Sequence, residues 1–102
     1  MKALKNNTSV LNLTELTDYQ WEHMRFIRPY QKKNILGKEY AQNDDKACLW
    51  VFVANKEVAE TFVVPRETVD CIDLPNQVFK PSEAIFIIDD GSLKVRKKFQ
   101  RR

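Results

Sequence analysis

The sequence predicts a small α+β domain, in which one N-terminal amphipathic helix packs on a mostly antiparallel sheet of about four strands. Apolar residues recur at three- and four-residue steps between positions 16 and 30, which is typical of one helical face. After residue 46 the pattern changes to continuous apolar runs of strand length, separated by turn signals. A length of 102 residues with 43% apolar content allows one domain with a real core.

The chain divides into three parts in this prediction. Residues 1–13 are a polar, Asn-rich N-terminal arm, with positions 10–13 as a short strand or docking segment. The single α+β domain spans residues 14–99, and its end overlaps a basic C-terminal strand or tail at residues 94–102. No apolar stretch reaches the length of a signal peptide or a membrane span, so we expect a soluble, cytoplasmic protein with no membrane partner.

The first predicted element is a helix that begins near Thr17. Thr17 and Gln20 fit a capping box, in which both side chains bind backbone N–H groups that the helix leaves free. Leu16 and Trp21 take the positions of a hydrophobic staple. Because Pro29 disfavours helical backbone in the residue before it, the helix should end there. Its apolar face comprises Leu16, Tyr19, His23, Phe26, Ile27 and Tyr30.

Strands are predicted after a polar connection at residues 31–46. Residues 47–53 are a run of strand-forming residues, Asn55-Lys56 is a tight turn, and residues 58–64 form the returning strand, which Pro65 ends. Residues 67–74 suit either one or two helical turns or an extended segment. Residues 84–88 form another buried strand.

The segment Asp89-Asp90-Gly91-Ser92 is a hairpin turn signal, so residues 93–99 should form the partner of the strand at 84–88. Strand alternation places Lys94, Arg96 and Lys98 on one face. This strand closes the chain and is therefore expected at a sheet edge. We predict a homodimer resting on residues 84–88 and 93–99, formed by strand exchange or by side-by-side addition.

The residue types do not favour catalysis. His23, the single histidine, lies on the predicted apolar helix face, which favours a hydrogen-bonded core or edge residue over a catalyst. Cys48 and Cys71 lack the close spacing of zinc or redox motifs, so two buried reduced thiols are favoured over a structural disulfide. Two glycines cannot build a phosphate-binding loop. We therefore predict a non-enzyme with no metal and no cofactor.

Charge distribution is the main functional signal. The last nine residues hold six of the 17 Lys and Arg residues and no acid, whereas the remaining 11 cations face 14 acids. This asymmetry points to an anionic partner, although a solvated terminus would show the same pattern. We expect the binding residues of the tail to be Lys94, Arg96, Lys97, Lys98, Phe99, Arg101 and Arg102. The Phe99 ring would stack on a base, and the alternative is that it caps the core.

A second basic cluster follows the first predicted element and consists of Arg25, Arg28, Lys32 and Lys33. Cations at the end of a helix also complement its dipole, which is the alternative interpretation. Together the two clusters predict a small nucleic-acid-binding or regulatory protein, with DNA favoured and an acidic protein as the other partner. The alternative is a protein–protein interaction or inhibitor module, because the aromatic content is high for one small core.

The stretch Val64-Pro65-Arg66-Glu67, with the strand before it and Leu74 after it, resembles the first half of the AbrB/MazE-like swapped-hairpin DNA-binding proteins. Residues 80–98, with the Asp-Gly turn and a closing basic strand, are similar to the second half. Ser82-Glu83 stands where that family has Gly-Asp, and residues 75–79 are an insertion. The resemblance, over residues 62–98, implies a short helix after Glu67. It also implies a dimeric DNA-binding transcription factor or antitoxin, with Arg66 at the motif's basic position.

Overall fold

Eight antiparallel strands in three small sheets form the fold in this computed structural model, which describes residues 8–95. The first sheet has the order β1-β7-β8, the second β2-β5-β6, and the third is the hairpin β3-β4. Two single-turn 3-10 helices, Leu13–Glu15 and Pro81–Glu83, connect strands. The strands are β1 (Thr8–Asn12), β2 (His23–Ile27), β3 (Gln31–Ile35), β4 (Lys38–Gln42), β5 (Ala47–Ala54), β6 (Glu57–Pro65), β7 (Ile85–Asp89) and β8 (Ser92–Val95).

The predicted α+β class is wrong, because the region expected to be the helix is turn and strand. The Thr17 hydroxyl accepts a hydrogen bond from the Trp21 indole Nε1 at 3.0 Å, rather than capping a helix. From His23 onward the chain is β2, in which Met24 and Phe26 point into the core. Met24 and Phe26 follow the two-residue period of a strand face, although the predicted helical face includes Phe26 but not Met24. Pairing of β2 with β5 decides in favour of the strand, since it places Met24 and Phe26 on the sheet face that packs in the main core.

Strand β5 is buried on both faces and lies between two apolar clusters. Cys48, Trp50 and Phe52 face the main core, while the alternate residues Leu49 and Val51 face a second cluster. The β3–β4 hairpin covers this second cluster through Ile35 and Tyr40, one in each strand. Because both faces of β5 are buried, residues 47–53 form a continuous apolar run in the sequence.

Three of the predicted strands and both predicted turns are confirmed. The strands expected at residues 47–53, 58–64 and 84–88 correspond to β5, β6 and β7. Asn55 and Lys56 have φ of 54° and 63°, and Asp90 and Gly91 have φ of 56° and 82°, as two-residue hairpin turns of type I′ require. The short strand expected near positions 10–13 corresponds to β1. The closing strand is described only to Val95, so of its predicted basic face only Lys94 lies among the described residues, while Arg96 and Lys98 lie outside them.

Residues 67–74 form turns, without the short helix that the swapped-hairpin resemblance implies. The Arg66 Nε donates to the Asp70 carboxylate at 3.0 Å, and the main chain of Asp70 bonds to Gly91 and Leu93. This path brings Cys71 over β5, where it forms a disulfide with Cys48 at a Cα–Cα distance of 6.4 Å. The prediction of two reduced thiols is therefore wrong. Cys48 and Cys71 are close in space because of the path of the loop, which the pattern of strands in the sequence does not reveal.

The main core joins the two three-stranded sheets through edge-to-face aromatic contacts. Phe26 lies 5.3 Å from Trp50, 5.8 Å from Phe79 and 5.4 Å from Phe86, measured between ring centroids. Each such pair is worth about 0.5–1.5 kcal/mol beyond simple burial. Met24 also exchanges two backbone hydrogen bonds with Phe79, at 2.9 and 2.8 Å. Among the described residues, no helix is long and apolar enough to cross a membrane.

Candidate nucleic-acid interface

Residues 23–38, called here the basic segment, carry five cations and no acid. The segment runs through β2, the following turn and β3 to the start of β4. All 14 acids of the chain lie within residues 8–95, which hold five further cations outside the segment. The basic segment is therefore a positive region on an otherwise acidic body, an arrangement that favours an anionic partner at this place.

The turn between β2 and β3 presents an exposed aromatic ring. The Gln31 N–H donates to the Arg28 carbonyl at 3.1 Å, which closes a four-residue turn with Pro29 second and Tyr30 third. Tyr30 has φ of 62°, so the turn has the features of type II, whose third position normally takes Gly or Asn. The Tyr30 N–H donates to the Gln42 carbonyl at 2.7 Å, and 72% of the residue is exposed.

The predicted binding residues Arg25 and Arg28 lie on β2 and in the turn. Arg25 pairs with Val51 in the register of β2 and β5, and its Nε is buried without a hydrogen-bond partner among the described residues. The Arg28 guanidinium donates to the Ile72 carbonyl at 3.4 Å. Neither guanidinium forms an ion pair within the described part of the chain, so no described acid neutralises their charge.

Lys32 and Lys33 are neighbours on β3 and therefore point to opposite faces of the hairpin. The Lys32 ammonium lies 4.0 Å from the Glu39 carboxylate, and both side chains are well exposed. An exposed pair of this kind contributes about 0–1 kcal/mol, so it can give way to a phosphate. Lys33 lies opposite Tyr40, and the Lys38 Nζ is 5.7 Å from the centroid of the same ring.

The four predicted cations of the second cluster thus lie on β2, in the turn after it and on β3. The same segment contains two residues that the sequence analysis did not assign to the site. Lys38 was missed because it follows Gly37 in a stretch taken as a loop. Tyr30 was assigned to a helix face, although Pro29 directly before it is a turn signal.

Only Lys94 of the predicted tail site lies among the described residues. It is on β8, with its ammonium 3.4 Å from the Asp89 carboxylate. The other predicted tail residues lie outside the described part of the chain: Arg96, Lys97, Lys98, Phe99, Arg101 and Arg102.

A shallow groove lies away from the basic segment and is lined by Thr14, Tyr19, Gln20, Trp21 and Pro81. Burial, followed by the hydrogen bond that the Tyr19 hydroxyl donates to Glu60 at 2.7 Å, raises the pKa of Tyr19 to about 12. The phenol is therefore a poor proton-transfer group near neutral pH. Within residues 8–95, no three His, Cys, Asp or Glu residues are grouped so that they could hold a metal ion. The sequence analysis expects a hydrogen-bonded core or edge histidine at His23, and its Nδ1 is buried without a hydrogen-bond partner among the described residues.

Tyr30 and the cations around it are thus the candidate interface in the described part of the chain. No protein-family model, no curated protein and no solved structure matches the chain. Its function is therefore inferred from its own residues.

Proposed function

We propose that this protein is a small, non-catalytic nucleic-acid-binding protein and that the basic segment contacts the nucleic acid. The observation that carries this proposal is Tyr30, an exposed ring held in left-handed backbone within a stretch of five cations. The proposal extends the function predicted from charge alone by assigning the aromatic contact to a described residue.

The backbone of Tyr30 is the first support for a binding role. Left-handed backbone costs an L-residue roughly 1–2 kcal/mol, a cost that Gly avoids and Asn reduces. Because Tyr30 is 72% exposed, its ring recovers little of that energy from the core. The exposed ring is therefore available for a contact outside the chain.

The chemistry of the basic segment is the second support. A protruding ring can stack on an unpaired base, which contributes about 1–3 kcal/mol per base, while neighbouring cations neutralise phosphates. Arg28 and Lys32 lie two residues before and two residues after Tyr30. Because bases in a duplex are already stacked, this arrangement favours single-stranded nucleic acid. The swapped-hairpin resemblance stays a hypothesis that favours DNA over RNA.

Fluorescence anisotropy with a labelled single strand of about 12 nucleotides, close to the site size of small binding domains, tests the proposal. We expect binding by the full chain that weakens with salt, with a slope of about −0.7 in log K against log salt for each phosphate contacted. Tyr30→Ala should weaken binding by roughly 5- to 100-fold, as loss of one stacked base predicts. Lys80→Ala is the matched control on an exposed cation outside the basic segment. The proposal is contradicted if the full chain does not bind at low salt, or if its binding does not weaken as the salt concentration is raised.

The alternative function, a protein-interaction module, is favoured by a different observation. Phe62 and Val63 on β6 are 39% and 65% exposed, so apolar surface remains uncovered on an edge strand. Affinity capture from a native lysate distinguishes the two functions. Recovery of one stoichiometric protein that persists after nuclease treatment would favour the alternative.

The compartment is a further proposal. The Cys48–Cys71 disulfide is fully buried, and such bonds are typical of oxidising compartments and rare in the cytoplasm. We therefore favour an oxidising compartment over the cytoplasm that the sequence analysis predicts. Alkylation of denatured protein taken directly from its native cells tests this, since free thiols at both positions would indicate the cytoplasm.

A further inference from the structure

The outer edge of β6 is the longest open sheet edge in the described part of the chain. β6 has nine residues and pairs only with β5, so its second side has no partner strand within residues 8–95. A register shift leaves Ala59 without a partner in β5, but the pairing is regular from Glu60 onward. Positions 61–64 contain no charge and no Pro, whereas Glu57, Glu60 and the register shift protect the start of the strand and Pro65 protects its end.

Within residues 8–95, the other sheet edges are short, covered or charged. β1 and β8 have five and four residues, and Asp70 bonds to Gly91 and Leu93 along the β8 edge. Phe79 covers the edge of β2 through two backbone bonds to Met24. The β3–β4 hairpin carries three lysines. β7 lies between β1 and β8, so the predicted dimer contact through residues 84–88 has no free strand edge there.

We propose that β6 pairs antiparallel with β6 of a second copy about a two-fold axis. The pairing would join the two β2-β5-β6 sheets into one continuous six-stranded sheet. It would also cover Val63, which is 65% exposed, and Phe62, which points to the opposite face. The proposal is independent of nucleic-acid binding, because β6 lies outside the basic segment.

The charge pattern of β6 supports a second copy as the occupant. The charged residues of the strand are Glu57 and Glu60. If the two-fold axis passes through Thr61, Phe62 or Val63, neither glutamate lies opposite an acidic residue of the other β6. With the axis at Phe62, for example, the two Phe62 rings are neighbours, and each Thr61 lies opposite a Val63. Aromatic and β-branched cross-strand pairs of this kind contribute roughly 0.2–1 kcal/mol each.

Light scattering and sedimentation of the nuclease-treated full chain, over a range of about 5 to 200 μM, test the dimer by mass action. We expect the mass to rise with concentration from 12.0 kDa toward twice that value, independently of salt. Val63→Lys should raise the dimer dissociation constant by about tenfold or more, because it places a hydrated charge at the contact. Val10→Lys is the matched control, since Val10 is a 60% exposed valine on the edge strand β1.

Thermal unfolding at low concentration checks that both variants fold, and Thr61→Lys provides a second disruption of the same edge. A mass that stays at 12.0 kDa over the whole range would overturn the proposal. Equal weakening of the dimer by Val63→Lys and Val10→Lys would also overturn it, because the contact would then not lie on β6.

Discussion

Tyr30 and Leu36 both occupy left-handed backbone in the turns at either end of β3, with φ of 62° and 53°. Both are large, and both are more than half exposed, at 72% and 57%. Neither turn selects its residue for backbone reasons, because Asn fits the third position of a type II turn and the second position of a type I′ turn better. Substitutions at these two positions can therefore be compared to separate the effect of backbone strain from the effect of the Tyr30 ring.

We predict that Tyr30→Asn and Leu36→Asn each leave stability unchanged or raise it by about 1 kcal/mol or less, because Asn tolerates left-handed backbone. Only Tyr30→Asn should weaken binding to a single-stranded oligonucleotide, by roughly 5- to 100-fold. Denaturant unfolding and anisotropy measure the two effects on the same samples. Equal binding losses in the two variants would argue against stacking by the Tyr30 ring.

A pH-dependent effect is expected at Tyr19, whose pKa is raised to about 12 by burial and then by the hydrogen bond to Glu60. A raised pKa in the folded state means that folding favours the protonated phenol. Stability from this interaction is complete below pH 10 and is lost as the pH rises through about 12. In Tyr19→Phe, unfolding should vary less with pH above pH 10 than in the wild type, as circular dichroism can show. Tyr40→Phe is the control.

The burial of each strand depends on its position in the sheet more than on its own residues. β5 is apolar throughout because it is central and covered on both faces, whereas the edge strand β6 is exposed at most positions. The loop after β6 has no regular structure and is held by the Arg66–Asp70 ion pair and by the disulfide to β5. Because the disulfide ties this loop to a central strand, its loss should affect the whole fold.

We predict that reduction of the Cys48–Cys71 disulfide lowers the free energy of unfolding by about 3 kcal/mol, since the bond closes a loop with a sequence separation of 23. Urea unfolding of the wild type with and without reductant measures the change. Cys48→Ala/Cys71→Ala should be destabilised by at least as much and should not respond to reductant. If reductant lowers the stability of both proteins equally, the effect does not come from this bond.

Positive and negative charges are unevenly distributed along the chain. The described residues carry more acid than base, while the five cations after Val95 lie in a segment without acids. In the proposed function, the tail would add electrostatic attraction without base recognition, and the basic segment would supply the stacked contact. The tail and Tyr30 should then contribute independently.

We predict that replacing the five cations after Val95 by Gln weakens binding and makes the salt dependence less steep, by up to about 0.7 in slope for each phosphate that the tail no longer neutralises. This substitution keeps the chain length and leaves β8 unchanged. The fold-loss caused by Tyr30→Asn should be the same with either tail. A salt slope unchanged by the substitution would show that the tail does not contact phosphates.

Local signals were reliable where one turn or one buried run determines the structure. The two hairpin turns depend only on the backbone angles of a few residues, at Asn55-Lys56 and Asp89-Asp90-Gly91-Ser92. Strand β5 is recognisable in the sequence because burial of both its faces makes it a continuous apolar run. The basic cluster around Arg28 was likewise found from sequence, although it was placed on a helix. The wrong helix arose because Thr17 and Gln20 satisfy a capping pattern that requires only four residues.

By itself, the sequence determined the two hairpin turns, the apolar strands beside them and the division of charge, because each depends on neighbouring residues. Tertiary structure decided that residues 23–27 are a strand, since pairing with β5 places Met24 and Phe26 on the sheet face that packs in the main core. It also decided the disulfide, because Cys71 reaches Cys48 through a loop directed by Asp70. The exposure of Tyr30 was decided in the same way, since it depends on the hairpin beside it. These features arise from contacts between distant parts of the chain, and no local pattern of residues encodes them.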